Sequence, residues 1–465
     1  MSTTTSEPGS KLTAGATLQE QARRHLWMHF TRMGEYSDEH EIPIIVKGEG
    51  CYVYDEHGRR YLDGLASLFC SQLGHGRADL VQAGADQAKE LGYFSSWSYT
   101  HPRAIELATR VAALTPGDLN RVFFTNSGSE AVEAALKLAR QYHRVMGRPH
   151  KHKVIAREIA YHGTTFGALT ATGVTDYRTP FEPLLAGVSH VPNTNMYRFP
   201  ADHDPLELAE AVATRIEFEG PDTVAAVIME PVQNAGGCLL PPPGYFDRIR
   251  EICDEYDVLL ISDEVICSWG RLGAYFGSEA IGYHPDIITT AKGITSAYAP
   301  MGAMIASDRV AEPFMQGTNS FLHGSTWGGH PVVAAIALAN LDAFENERVL
   351  DHVAANQGAF LAMLESLGDL PIVGDVRGMG YFYAIELVKD KETKESFNHE
   401  ESESLLRGYL SGEMFRRGLI CRSDDRGDPV IQLSPPLIAG QEQFDEIEAV
   451  LRPVLEEAGR RMRLG

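Results

Sequence analysis

Short apolar runs, three to six residues long, recur between stretches of helical spacing, and this alternation constrains the fold more than any other feature of the chain. The runs cover residues 122–125, 154–156, 224–229, 258–262 and 287–290. Continuous apolar runs of this length suit strands covered on both faces rather than strands with one wet face. Strands that alternate with helices predict an α/β fold with a mostly parallel central sheet flanked by helices, here a large domain over residues 80–344. The pattern changes on either side. Residues 51–54 and 60–62 flank a Glu56-His57-Gly58 turn and read as a hairpin, while helices near 349–367 and 403–417 alternate with strands at 381–388 and around Leu419 and Val430. Residues 21–79 and 345–465 are therefore expected to build a smaller α+β domain from both chain ends. Residues 1–20, polar and without period, read as a disordered or loose N-terminal arm.

Charge and composition exclude several classes of partner. Lys and Arg total 41 against 63 Asp and Glu, a net charge of −22, which repels phosphate backbones and anionic lipid, so neither nucleic acid nor membrane is an expected partner. The longest apolar stretches fall far short of the ~20 residues of a membrane span. The first residues lack the basic and apolar blocks of an export signal. Six cysteines without a Cys-x-x-Cys pair suit reduced thiols in a cytoplasmic protein. No metal is expected: His-Glu-x-x-His is absent, and His150 and His152 read as solvated loop residues.

Four places near the strand ends suit a phosphorylated aromatic aldehyde. After 122–125 come Asn126-Ser127-Gly128-Ser129-Glu130, where Ser127 and Glu130 have capping-box spacing at a helix start. Such a start offers backbone N–H groups and a positive dipole end to a phosphate, Gly128 allows close approach, and Ser129 adds a hydroxyl. The same pattern also suits a capped helix and nothing more. Asp263 ends the run 258–262, where α/β sheets bind ligands; it could partner a pyridinium N–H or cap the next turn. Lys292 follows 287–290 in Ala291-Lys292-Gly293 and could form an imine with an aldehyde if burial lowers its pKa, although a lysine beside glycine also suits a surface turn. Tyr161, in Tyr161-His162-Gly163, could stack on an aromatic ring or pack in the core.

Together with Tyr61-Leu62-Asp63-Gly64, Glu230-Pro231-Val232, His323-Gly324-Ser325-Thr326 and Arg377-Gly378-Met379-Gly380, these motifs stand in an order that resembles the class III aminotransferases of pyridoxal phosphate (PLP) fold type I. The resemblance implies PLP as cofactor, with pyridoxamine phosphate as its intermediate form. It makes Lys292 the Schiff-base lysine and Asp263 the partner of the ring nitrogen. Tyr161 and Val265 would face opposite sides of the ring, Gly128 and Ser129 would hold the phosphate, and Glu230 would brace the site. Thr326 would reach the phosphate of a neighbouring subunit, which implies a homodimer with shared active sites; pairing of dimers into tetramers stays open. His29-Phe30-Thr31, residues 64–70 and residues 418–422 with Ser434-Pro435-Pro436-Leu437 resemble the pyruvate-dependent ω-transaminases in particular. That likeness implies Arg422 as the arginine that pairs with a substrate carboxylate, and Phe30, Phe69 and Trp97 as substrate-pocket residues. Phe69 stands where close relatives commonly carry tryptophan, which leaves room for bulkier amines, and Trp269 replaces a usual phenylalanine.

The expected reaction is therefore ping-pong transamination between an amine or ω-amino acid and a keto acid, with pyruvate as acceptor. A racemase, aminomutase or decarboxylase of the same fold would need the same lysine and aspartate. A nicotinamide oxidoreductase fits the parallel sheet alone, because Gly378-Met379-Gly380 lacks a third glycine and precedes a strand.

Overall fold

The computed structural model describes residues 17–463. It forms two units, one holding residues 17–47 and 53–60, the other residues 48–52 and 61–463. In the first unit, helix α1 (Leu18–His25) starts at a capping box in which Thr17 Oγ1 accepts from the Glu20 N–H at 3.2 Å and Glu20 Oε2 accepts from the Thr17 N–H at 2.7 Å. Of the loose arm expected over 1–20, residues 1–16 lie outside the described residues. Leu18, Gln19 and Glu20 are instead the first turn of α1, because the cap satisfies its leading N–H groups. Gln19 then ties down Ile42, donating to its carbonyl at 2.9 Å and accepting from its N–H at 3.0 Å.

Fifteen strands lie among the described residues. The first three are β1 (Ile45–Glu49), β2 (Tyr52–Asp55) and β3 (Arg60–Asp63). The next seven build one sheet: β4 (Leu119–Thr125), β5 (Lys153–Arg157), β6 (Val188–Val191), β7 (Val224–Met229), β8 (Leu259–Asp263), β9 (Ile287–Thr290) and β10 (Gly302–Ser307). Their spatial order is β4-β10-β9-β8-β7-β5-β6, with β10 antiparallel to both neighbours and every other pairing in the sheet parallel. All of β7, β8, β9 and β10 are buried, which is why these runs carry apolar side chains on both faces. This is the mostly parallel central sheet expected from the apolar runs.

Downstream, β11 (Val373–Met379), β12 (Phe382–Leu387), β14 (Arg422–Asp424) and β15 (Val430–Leu433) form an antiparallel sheet in the order β11-β12-β15-β14, while β13 (Leu419–Ile420) pairs in parallel with β3. The single helix expected over 403–417 is interrupted. Helices His399–Leu405 and Ser411–Arg416 are joined by a π turn, Leu406–Leu410, that periodicity alone does not signal. Among the described residues no helix is long and apolar enough to cross a membrane.

Lys151 locks one end of the large sheet. Its buried ammonium donates to four carbonyls, those of Pro221 (3.2 Å), Val224 (3.3 Å), Tyr256 (2.8 Å) and Asp257 (3.0 Å), so a single side chain ties the loops before β5, β7 and β8 together. Replacement by Met keeps the stem and strands the carbonyls. Lys151→Met is expected to lower stability by about 3 kcal/mol, since an orphaned buried acceptor costs ~1–3 kcal/mol and some of the four will regain water. The urea midpoint measures this, and an unchanged midpoint would rule out the cage as a stabilising element.

Candidate active site

Three neighbouring strands end at one place. Glu230 follows β7, Asp263 is the last residue of β8, and Lys292 comes two residues after β9. Asp263 stands in register with Thr289, so the two strand ends open on the same edge of the sheet. The carboxyl ends of parallel strands are where α/β sheets bind ligands. Opposite them, helix α2 (Gly128–Val145) starts directly after β4. Between these elements lies a cavity of about 480 Å³ whose lining includes Gly128, Ser129, Tyr161, Glu230, Asp263, Val265 and Lys292. Its remaining wall is largely apolar, with Leu68, Ile266, Ala297, Ala299 and Met301.

The helix start differs in one detail from the capping box expected of Ser127 and Glu130. Ser127 Oγ accepts from the Glu130 N–H at 3.2 Å, but the Glu130 carboxylate turns to Asn126, accepting from its backbone N–H and its Nδ2, each at 2.8 Å. The box closes one residue early. The Ser127 N–H therefore stays outside it, next to the Gly128 and Ser129 N–H groups, which have no partner within the helix. Close contacts keep this corner small: a Cβ on Gly128 would lie 2.6 Å from Val265 Cγ1, and one on Gly163, at φ +122°, would lie 2.3 Å from Ser129 Oγ. Ser129 Oγ itself accepts from the Thr164 N–H at 3.1 Å.

The carboxylates are held firmly. Asp263 Oδ2 lies 2.7 Å from His162 Nδ1, Oδ1 accepts from Thr289 Oγ1 at 3.1 Å, and the Val265 N–H adds 3.2 Å. Glu230 accepts from the N–H groups of Tyr161 (3.2 Å) and Asn234 (3.0 Å), and burial, with nearby Asp263, pushes its pKa up against the opposing pull of His162. Burial lowers the pKa of the Lys292 amine, while Cys70, Asp263 and Glu230 act in the opposite direction. A lowered amine pKa leaves a larger neutral fraction near neutrality, the form that can attack a carbonyl carbon or take a proton.

Not every expected residue reaches the cavity. Phe69 is 1% exposed, packs edge-on against Phe382 at 5.7 Å and does not line this cavity; its neighbours Leu68 and Cys70 do. The reversal comes from left-handed backbone at Ala66, Ser67 and Phe69, which turns successive side chains away from any regular alternation. Trp97, 64% exposed, lines a separate groove with His323 and Gly324. Thr326 is exposed on the adjoining loop, its carbonyl accepting from the Tyr93 hydroxyl at 2.6 Å. Phe30 belongs to the first unit, where it is 72% exposed at φ +52°. Arg422 does not line the cavity but feels Tyr161 and Tyr177, and its Nε stands 3.9 Å from Asp424 Oδ2. Asp424 is already engaged by Arg426, whose Nε and Nη2 lie 2.8 and 2.5 Å from its oxygens.

Sequence reasoning overlooked His162. It sits inside the quoted Tyr161-His162-Gly163, yet its bond to Asp263 spans 101 positions and leaves no local trace. Cys70 and Cys267, both lining the cavity, read beforehand only as reduced thiols.

Known proteins resemble this chain over most of its length. A family model described as aminotransferase class-III matches residues 35–455. A probable aminotransferase of Mycobacterium tuberculosis is 58% identical over 450 residues, covering 96% of this chain and 96% of the relative. The putrescine–pyruvate aminotransferase of Pseudomonas aeruginosa is 39% identical over 456 residues, 96% of this chain and 98% of that protein. Among solved structures, the ω-transaminase from Pseudomonas jessenii in complex with PMP superposes with a TM-score of 0.92 at 34% identity, covering 97% of this chain and 100% of that one.

Proposed function

Because the chain belongs to the class III aminotransferases, which use PLP, we propose that it moves an amino group from a primary amine or ω-amino acid to pyruvate in two alternating half-reactions. The observation that carries the reading is the meeting of Lys292 and Asp263 with the start of α2 in one cavity. Similarity to the putrescine–pyruvate aminotransferase favours pyruvate as acceptor.

The residues fit the cofactor. The amides at the start of α2, together with Ser129 Oγ, form an anion site of the right chemistry for its phosphate, and Gly128 keeps that site open where a side chain would strike Val265. Tyr161 and Val265 would flank the ring, and Asp263, itself fixed by His162 and Thr289, would hold the proton on its nitrogen. When bound, PLP supplies the electron sink that stabilises negative charge on the substrate carbon. Lys292 Nζ would hold the cofactor at rest, and during turnover it would take the proton from the substrate carbon and deliver it to the cofactor's aldehyde carbon. Glu230 braces the Tyr161 backbone, and the Arg422 guanidinium pairs with the carboxylate of an acid substrate. The apolar wall around Leu68, Ala297 and Met301 receives the substrate's hydrocarbon part. Thr326 serves the phosphate of a second copy, so the working form is a homodimer; the exposed aromatic residues Trp97, Tyr99 and Trp327 support such an interface.

A half-reaction tests the function directly. Adding an amine without acceptor should convert the cofactor to its pyridoxamine form, and pyruvate should restore it; a racemase or decarboxylase would show neither change. Screening diamines, β-alanine and taurine against pyruvate and 2-oxoglutarate then identifies the pair. Gly128→Ala probes the phosphate site separately. Its Cβ forces apart Val265 and the helix start, an overpacking of ~1–3 kcal/mol, so cofactor affinity should fall about 10- to 100-fold in an equilibrium titration. Unchanged affinity would remove this corner from the phosphate site.

A further inference from the structure

The backbone that presents Lys292 is held by a buried hydrogen-bonded chain that the chemistry itself does not use. Trp269 is fully buried, and its indole N–H donates to Thr290 Oγ1 at 2.7 Å. Thr290 Oγ1 lies 2.6 Å from Ser268 Oγ, and Ser268 Oγ lies 2.6 Å from the carbonyl of Glu264. Donor bookkeeping fixes the direction of this chain. The Glu264 carbonyl can only accept, so Ser268 spends its single proton there; Thr290 must then donate to Ser268, and the indole N–H is left as donor to Thr290. The chain therefore runs from Trp269 through Thr290 and Ser268 to Glu264. Its middle member Thr290 stands two residues before Lys292, and its accepting end, Glu264, comes directly after Asp263.

The segment beyond Lys292 is gripped as well. A Cβ on Gly293 would lie 2.7 Å from Trp269 Cβ, so the tryptophan packs directly against this glycine. Asn340 Nδ2 donates to the carbonyls of Gly293 (3.0 Å) and Ile294 (3.2 Å). Between these grips Lys292 holds φ +49°, a left-handed conformation unfavourable for any residue with a Cβ and kept only where the surroundings impose it. A phenylalanine at position 269 would fill similar space but bring no donor.

We propose that Trp269 is a positioning residue: its indole N–H, acting through the Thr290 hydroxyl, holds Lys292 in its left-handed turn and fixes it relative to Asp263. This rests on Lys292 being the lysine that carries the cofactor. Loosening the turn should impair the lysine's action more than substrate binding, so kcat falls and KM stays.

The test uses holoenzyme carrying Trp269→Phe, Thr290→Val, Thr290→Ser, the double change Trp269→Phe/Thr290→Val, and Lys292→Ala as reference. Steady-state kinetics are one readout; the other is the pH midpoint of the cofactor's visible absorption in resting enzyme without substrate. Trp269→Phe is expected to lower kcat about tenfold with KM nearly unchanged and to move the absorption midpoint by about half a pH unit. Thr290→Val should do at least as much, Thr290→Ser should behave as the parent, and adding Trp269→Phe to Thr290→Val should change neither readout further. Native kcat and midpoint in Trp269→Phe overturn the proposal, as does a Trp269→Phe effect that persists in full without the Thr290 hydroxyl. Should Trp269→Phe fail to fold, the Thr290 pair decides, because equal behaviour of the Val and Ser variants removes the hydroxyl from the argument. Retained visible absorption in Lys292→Ala would sink the lysine assignment itself, whereas its loss beside a native Trp269→Phe sinks only the clamp.

Discussion

Lys292→Ala is expected to abolish the visible absorption of the bound cofactor and to cut turnover by about 10⁴-fold or more, with the fold unchanged. On the proposed function two contributions are lost at once: the covalent hold on the cofactor and the base that moves the substrate proton, the second alone worth typically 10²–10⁴. Burial lowers the amine's pKa, so near neutrality more of it is neutral than of an exposed lysine, and the chemistry uses that neutral form. Alanine keeps the backbone and removes only the side chain beyond Cβ, so far-ultraviolet circular dichroism and gel-filtration elution should match the parent. A small exogenous amine should restore part of the rate. Near-native turnover in this variant would end the assignment.

The second large effect is expected at Asp263. Asparagine preserves shape, but its one amide oxygen can accept from His162 or from Thr289 and not from both, and it cannot hold a proton on the ring nitrogen by charge. Two opposite charges about 4 Å apart attract by roughly 4 kcal/mol at an effective dielectric near 20. At 1.36 kcal/mol per decade, Asp263→Asn should lower kcat about 10³-fold while the cofactor stays bound through the phosphate site and Lys292. The contrast between the variants is diagnostic: the lysine change removes colour and rate, the aspartate change removes rate and leaves colour. A loss smaller than tenfold would mean that the ring nitrogen is held by something else.

Much of this site could be read before the structure, for a physical reason. Asp263 and Lys292 follow buried strands whose apolar runs are conspicuous, and a residue at the end of such a strand can only emerge at the sheet edge. What stayed hidden depended on distance or on irregular backbone. His162 meets Asp263 across 101 positions, a contact periodicity cannot encode. Phe69 lies in a kinked stretch where left-handed residues break the alternation, so the resemblance pointed to Phe69 while Leu68 and Cys70 face the cavity. Strand β6 escaped because Ser189 and His190 interrupt its apolar character, and β10 because two of the four residues in its run 303–306 are alanine, a weak strand former. The π turn at Leu406–Leu410 likewise leaves an apparently continuous helical pattern intact.

The register between β8 and β9 carries a practical lesson for anyone reshaping this protein. Asp263 faces Thr289 across neighbouring strands, so an inter-strand spacing of about 4.8 Å fixes where the lysine segment leaves the sheet, and the turn beyond Thr290 sets the rest of the gap. The cavity wall, by contrast, comes from Leu68, Ala297 and Ala299, which lie outside the large sheet. On the proposed function, a library at Leu68 can search new amines away from the lysine turn, whereas Ala297, itself at φ +68°, continues the turn that carries Lys292.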